Sequence, residues 1–243
     1  MARASTARTN SYIPPAHHAT APLVALLDGA RAVPEIERQR FAAGEGTTLY
    51  YAGDLSLLTR PCVSIVGTRQ VSPAGAARAR RLAKELVAAD VVVVSGLAKG
   101  VDANAHNSAL EAGGRTVAVI GTPLEKAYPA ENKHLQERIY REHLLVSQFA
   151  PGSRVYQGNF PARNRVMAAL SDATVIIEAG ETSGTLHQAV ECRKLGRWLF
   201  IAKSVVENPD LTWPQGFIGL PRVRVLTSTE DLLSALRESG SWR

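Results

Sequence analysis

The residues best suited to chemistry in this sequence sit in four turns, and the chemistry they suggest is anion binding. The stretch "GNFPARNRVMAALSDATVIIEAGETSGTLHQA" places Arg163, Asn164 and Arg165 at the start of an apolar helix. It then sets Ser183, Gly184 and Thr185 at the opening of a second helix. "GTRQVS" supplies Gly67, Thr68 and Arg69, and "SGLAKGVD" supplies Ser95, Gly96 and Lys99. A helix N-terminus offers unpaired N–H donors and a partial positive charge, which suits phosphate. Glycine lets an anion approach the backbone closely. Each turn alone is explained as a tight connection; their convergence on one edge points to a ligand carrying phosphates.

Other chemistries lack their residues. No G-x-x-x-x-G-K-[ST] occurs, which argues against a P-loop ATPase, and no G-x-G-x-x-G follows the first strand. His106, His134, His143 and His187 are scattered without metal spacing, and His17 and His18 lie near the N-terminus. Cys62 and Cys192 form no CxxC, so they read as idle thiols in a reducing cytoplasm. Ser95 lacks the G-x-S-x-G setting of a nucleophile. No metal, cofactor or catalytic residue is assigned.

These turns need a frame, and the sequence supplies one. "CVSIVG", "VVVVSG", "TVAVIG", "LLVSQF", "TVIIEA" and "WLFIA" are short apolar strands, and "VRVL" adds a last one. Helical segments alternate with them. "SPAGAARARRLAKELVAAD" has Ser72 as cap, Pro73 in its first turn and an inner stripe of Ala76, Ala79, Leu82, Ala83 and Leu86. "DANAHNSALEAGG" reads as a helix capped by Asp102, and "STEDLLSALRES" as one capped by Ser228 or Thr229. The alternation predicts an α/β fold: a doubly wound, mostly parallel sheet of the extended Rossmann-like kind, with helices on both faces. In such a sheet ligands bind beyond the carboxyl ends of the strands, where all four turns fall.

The organisation expected is a disordered basic tail over residues 1–20, an extension over 21–60 packed on the core, and a Rossmann-like domain over 61–243 including the C-terminal helix. Within the extension, "APLVALLDGA" reads as a short helix ending at Gly29, and "TTLYYAGDLSLL" as a strand, a turn and an apolar segment. Net charge is +6 over 243 residues with a pI near 9.6, which favours an anionic partner, nucleic acid first. No apolar run is long enough to span a membrane. Arg78, Arg80 and Arg81 read as a solvated helix face. Tyr128, Tyr156 and Phe160 are the aromatics nearest the binding edge, where a base can stack.

The motifs "SIVGTRQVSPAG", "VVVVSGLAKGVDANAHNSALEAGGRTVAVIGTPLEKAYPAEN", "NFPARNRVMAALSDATVIIEA" and "SGTLHQAVECRKLGRWLFIA" resemble, in order, those of the DprA/Smf family of DNA-processing proteins. The resemblance covers roughly residues 47–202. It implies an extended Rossmann domain, usually a homodimer, that binds single-stranded DNA without a defined sequence and hands it to a RecA-type recombinase. The DNA-contacting positions it implies are Arg69, Lys99, the loop near Asn132 and Lys133, and Arg163 and Arg165. Arg69 and Arg163 are expected to contact phosphate rather than support the fold.

The chain departs from the family pattern at Ser147-Gln148, at His187-Gln188-Ala189, and at Ala202-Lys203 with the following "ENPDLTWPQGF". With no winged-helix segment after the core and no full helical domain before it, the sequence reads as a trimmed, divergent member. A second reading is a nucleotide-binding sensor, or a regulator working with a partner protein of a defence or toxin–antitoxin locus. A third is a LOG-type nucleoside-monophosphate phosphoribohydrolase. That branch carries a carboxylate just after its glycine loop, where this chain has His187 and Gln188, and cleavage of the N-glycosidic bond needs one.

Overall fold

Short apolar runs ending in glycine, serine or alanine pair side by side because each can bury both faces at once. The computed structural model describes residues 11–28, 31–43 and 48–240. Its strands are β1 (Ala19–Pro22), β2 (Thr48–Gly53), β3 (Cys62–Gly67), β4 (Val92–Ser95), β5 (Thr116–Ile120), β6 (Leu144–Ser147), β7 (Ala173–Glu178), β8 (Trp198–Ala202) and β9 (Val223–Leu226). Its helices are α1 (Glu35–Ala43), α2 (Pro73–Ala88), α3 (Val101–Glu111), α4 (Lys133–Glu142), α5 (Asn159–Ala169), α6 (Thr185–Lys194), the single turn α7 (Lys203–Val206) and α8 (Thr229–Glu238).

All nine strands join one sheet in the order β1-β2-β6-β5-β4-β3-β7-β8-β9. From β6 to β9 every neighbouring pair is parallel; β2 and β1 add to the β6 edge antiparallel. Strand pleating sends Val63 and Ile65 to one face, into a core with Ala79, Leu82, Ala105 and Leu232 of α2, α3 and α8. Cys62 and Val66 go to the other face, into a core with Val166 and Met167 of α5 and Cys192 of α6. The doubly wound α/β architecture read from the alternation is the one observed.

Local chemistry sets the helix ends. Ser72 Oγ accepts from Gly75 N at 3.0 Å, Pro73 opens α2, and the whole inner stripe read from the sequence is buried. Ser228 Oγ accepts from Asp231 N at 3.1 Å at the start of α8. Asp102 does not cap α3. That place belongs to Gly100, at φ +75°, and Asp102 lies inside the first turn with its carboxylate folded back onto the preceding loop.

The N-terminal segment is more structured than its composition suggests. Residues 1–10 and Gly29 lie outside the described residues. Tyr12 Oη donates to Leu124 O at 2.8 Å, Ile13 N donates to Glu137 Oε1 at 2.9 Å, and Ala19–Pro22 pairs with β2. Described residues 11–20 therefore lie along α4 and the sheet edge rather than forming a loose tail. "APLVALLDGA" gives only a 3₁₀ turn over Leu23–Leu26. The α1 helix, not anticipated, is held by Phe41 in the core. Among the described residues no helix is long and apolar enough to cross a membrane. Both cysteines are buried free thiols that burial pushes up to about 12.

Strand order in the sheet reverses about β3: β4, β5 and β6 are added on one side, and β7, β8 and β9 on the other. The crevice beyond the carboxyl ends of β3 and β7 is the switch point where such sheets bind ligands. The β3–β7 pairing slips in register between Val66 and Gly67, at the lip of that crevice.

Candidate nucleic-acid interface

Two adjoining cavities open at this edge. The larger, about 450 Å³, lies at the switch point. Gly67–Gln70 at the end of β3 form one wall and Gly180 with Thr182–Thr185 after β7 the other; Asp102, Asn164 and Gln188 also line it. The smaller, about 60 Å³, lies under the turns after β4 and β5, with Lys99, Gly121, Tyr128 and Phe160 in its walls. Arg69, Ala98, Phe160 and Arg163 border both.

Arg69 is exposed and makes no ion pair among the described residues; its guanidinium carbon sits 5.6 Å from the centre of the Phe160 ring. Phe160 in turn lies 5.1 Å from Tyr128, centroid to centroid. Phe160 is half-buried against Gly121, while Tyr128 is exposed. Lys99 is exposed and pairs with Glu131. The arrangement presents a cation over one aromatic face, a second aromatic beside it and a lysine across the gap. Lys133 lines a groove that continues past Tyr128 with Lys126 and Tyr12.

The structure places several expected site residues elsewhere. Arg163 is buried: Nη1 donates to Gly96 O and to Val119 O at 2.6 Å, and Nε donates to Asn164 Oδ1 at 3.0 Å. It ties the turn after β4 to β5 from below. A Cβ on Gly96 would collide with this guanidinium and push Arg163 off its carbonyl partners. Arg165 leaves the edge altogether. It lies 4.1 Å from the Phe41 ring centre and 3.5 Å from both Glu37 and Glu191. Ser95 is fully buried, donating to Ile65 O at 2.7 Å across the sheet. Asn132 donates to Leu97 O at 2.9 Å and Ala98 O at 3.2 Å, bracing the loop that carries Lys99. Gly67, Thr68, Asn164, Ser183, Gly184 and Thr185 do come together at the large cavity.

Two residues missed by the sequence reading share that cavity. Asp102 is buried, and its Oδ2 accepts from Gly96 N at 3.1 Å and Ala98 N at 3.3 Å. Burial raises its pKa above the ordinary carboxylate value, with Arg163 and the loop amides opposing. Burial likewise lowers the Arg163 pKa, though a guanidinium remains charged at neutral pH. Gln188 is the second: it faces inward from α6 one turn after Thr185, while His187 points out. The only clue was helical phase, i to i+3. Glu178 is spent on Ser72, at 3.0 Å from its N and 2.6 Å from its Oγ, and Glu181 on Thr212 and Trp213.

Residues 34–237 match the family of DNA recombination-mediator protein A. The chain belongs to that family. Protein Smf of a Synechocystis strain is 40% identical over 194 residues, covering 77% of this chain and 48% of the relative. The chain spans about half the length of the curated relatives it matches. The solved DNA processing protein A of Streptococcus pneumoniae is 37% identical with a TM-score of 0.71, over 78% of this chain and 66% of that one. The Helicobacter pylori protein, solved for its single-stranded DNA binding mode, is 28% identical with a TM-score of 0.70, over 79% and 88%. The resemblance read from the motifs thus holds. In this recombination-mediator fold the matched span takes in both cavities and every turn that lines them.

Proposed function

We propose that this chain binds single-stranded DNA across the carboxyl edge of its sheet, by charge and stacking, with little sequence preference. The observation that carries the reading is Arg69: an exposed guanidinium with no ion pair among the described residues, poised over Phe160 and beside Tyr128. Phosphate is its natural partner, and the aromatic pair offers a platform on which any base can stack. The Helicobacter pylori relative's single-stranded DNA binding mode supports the assignment. Hydrolysis of a nucleotide is disfavoured, because Asp102 holds loop amides, and Glu178 and Glu181 hold structural donors.

The test is affinity for a fluorescent oligonucleotide at several salt concentrations. Log affinity is expected to fall with log salt by roughly 0.7 per phosphate neutralised. Arg69→Ala is expected to lose about tenfold in affinity and about one phosphate's worth of slope, with melting unchanged. Affinity indifferent to salt, or unchanged in Arg69→Ala, would sink the reading.

Hand-over of the strand to a RecA-type recombinase and action in the cytoplasm belong to the same proposal, on the strength of the family. So does a homodimer, for which light scattering is expected to give twice the 26.1 kDa chain mass. A monomer at the concentrations where DNA binds would remove it.

A further inference from the structure

Two exposed cations border the small cavity under the turns after β4 and β5, and they differ in one respect. Arg69 has no ion pair among the described residues, whereas Lys99 is already engaged: its Nζ donates to Glu131 Oε1. The Lys99 side chain is 53% exposed and that of Glu131 62% exposed. A pair so open to water adds little to stability. It is nonetheless held in place by its neighbour. Asn132 donates to Leu97 O and Ala98 O, clamping the loop before α4 against the loop that carries Lys99. The hydrogen bond from Lys99 holds the Glu131 carboxyl below its ordinary pKa, so the group is charged at neutral pH.

A second observation puts this carboxylate on the course of a strand. Tyr128 and Pro129 wall the small cavity, and Tyr128, Ala130 and Lys133 wall the groove of about 640 Å³ that continues from it. Glu131 is exposed on that shared loop. A row of phosphates running from Arg69 past Tyr128 toward the groove meets Lys99 only by displacing Glu131. Free, the carboxylate would repel the strand; bound to Lys99, it cancels one of the cations the strand would use.

We infer that Glu131 is an internal stand-in for phosphate on Lys99, and that strand binding here is an exchange in which phosphate takes the amine and the carboxylate turns out to solvent. This exchange rests on the DNA-binding reading above and sets how tightly that site holds its strand. It leaves a thermodynamic mark. A lysine that starts free releases a counterion from the strand when it meets a phosphate. A lysine that starts on Glu131 releases the same ion but leaves a bare carboxylate that gathers a cation, so the two nearly cancel. Lys99 should therefore add little affinity and little salt dependence while Glu131 is present, and both once it is gone.

The test is anisotropy with a fluorescent oligonucleotide across a range of salt, for wild type, Arg69→Ala, Glu131→Gln, Lys99→Ala and the double variant Lys99→Ala/Glu131→Gln. Glutamine keeps the shape of the side chain and drops its charge. All three positions are exposed, so melting should hold. Glu131→Gln is expected to bind about three- to fivefold more tightly at low salt, with a log–log slope steeper by about 0.7. In the Lys99→Ala background the same change should gain less than about twofold and leave the slope as it was.

An equal gain in both backgrounds overturns the inference, because Glu131 would then act only as a general repulsive charge. Wild-type affinity and slope in Glu131→Gln overturn it as well; if Arg69→Ala is weakened in the same series, strand binding stands and the exchange alone falls. Wild type that binds no oligonucleotide overturns both readings.

Discussion

Replacing Asp172 by alanine is expected to cost about 3–5 kcal/mol of stability and to loosen the N-terminal extension from the sheet. The side chain, 1% exposed, sits just before β7. Its Oδ2 accepts from Arg31 Nη2 at 2.9 Å and from Cys62 N at 2.8 Å at the start of β3. Arg197 lies close, its pKa lowered to about 10 by burial, and donates to Arg31 O at 2.6 Å and Ala169 O at 3.2 Å. One carboxylate thus offsets two buried guanidinium groups. Alanine leaves both cations without an anion and the Cys62 amide without its side-chain acceptor. Asparagine keeps an acceptor for Cys62 N and should cost less. Urea denaturation measures the loss, and limited trypsin digestion should cut Asp172→Ala first at Arg38 or Arg40 of α1. A loss below about 1 kcal/mol would mean that the extension is anchored by apolar contacts alone.

The sequence made some of this legible and hid the rest for physical reasons. Six of the seven parallel strands, β3 to β8, are short apolar runs buried along nearly their whole length, and the α2 stripe repeats at helical spacing; both patterns survive because burial enforces them. The α1 segment "EIERQRFAA" buries only Glu37 and Phe41, so no apolar stripe announces a helix. β1 buries a single residue of four, Ala21, and depends on pairing with β2. Arg163 and Arg165 looked like one basic cluster. Two residues apart on a helix means about 200° of rotation, so they must face nearly opposite ways. One reaches the strand ends; the other stacks on Phe41. Asp102 looked like a cap because it begins a helical run, yet the positive φ that the turn needs fell to Gly100. Charged residue types mark the edge, but which charge reaches solvent depends on helical phase and on carbonyls that only the folded loops bring near.

Arg163→Ala should destabilise the protein by about 2–5 kcal/mol, in contrast to Arg69→Ala, which should spare the fold. The guanidinium satisfies the carbonyls of Gly96 and Val119, both inaccessible to water. Alanine leaves two buried acceptors unpaired and a void where the side chain ran. The loss should also depend on pH, through Asp102. Burial raises the folded-state pKa of this carboxyl above its unfolded value of about 3.9, and Arg163 is the charge that pulls it back down. A raised folded pKa means that the native state holds the proton more tightly. The group's favourable contribution is therefore complete below about pH 4 and is lost as pH rises through the folded pKa. Removing Arg163 lifts that pKa further and enlarges the penalty at neutral pH. The deficit of Arg163→Ala relative to wild type should accordingly be larger at about pH 7.5 than at about pH 5, and adding Asp102→Asn should recover the difference. Urea midpoints for the four proteins at both pH values are the measurement. A deficit that ignores pH, or a double variant that recovers nothing, would show that the loop is held by Arg163 and its carbonyls without Asp102. DNA affinity at acidic pH, where more of the variant is folded, then reports the loop alone: retained affinity means that Arg163 supports the edge from beneath, whereas lost affinity in folded protein returns it to the phosphate-binding surface.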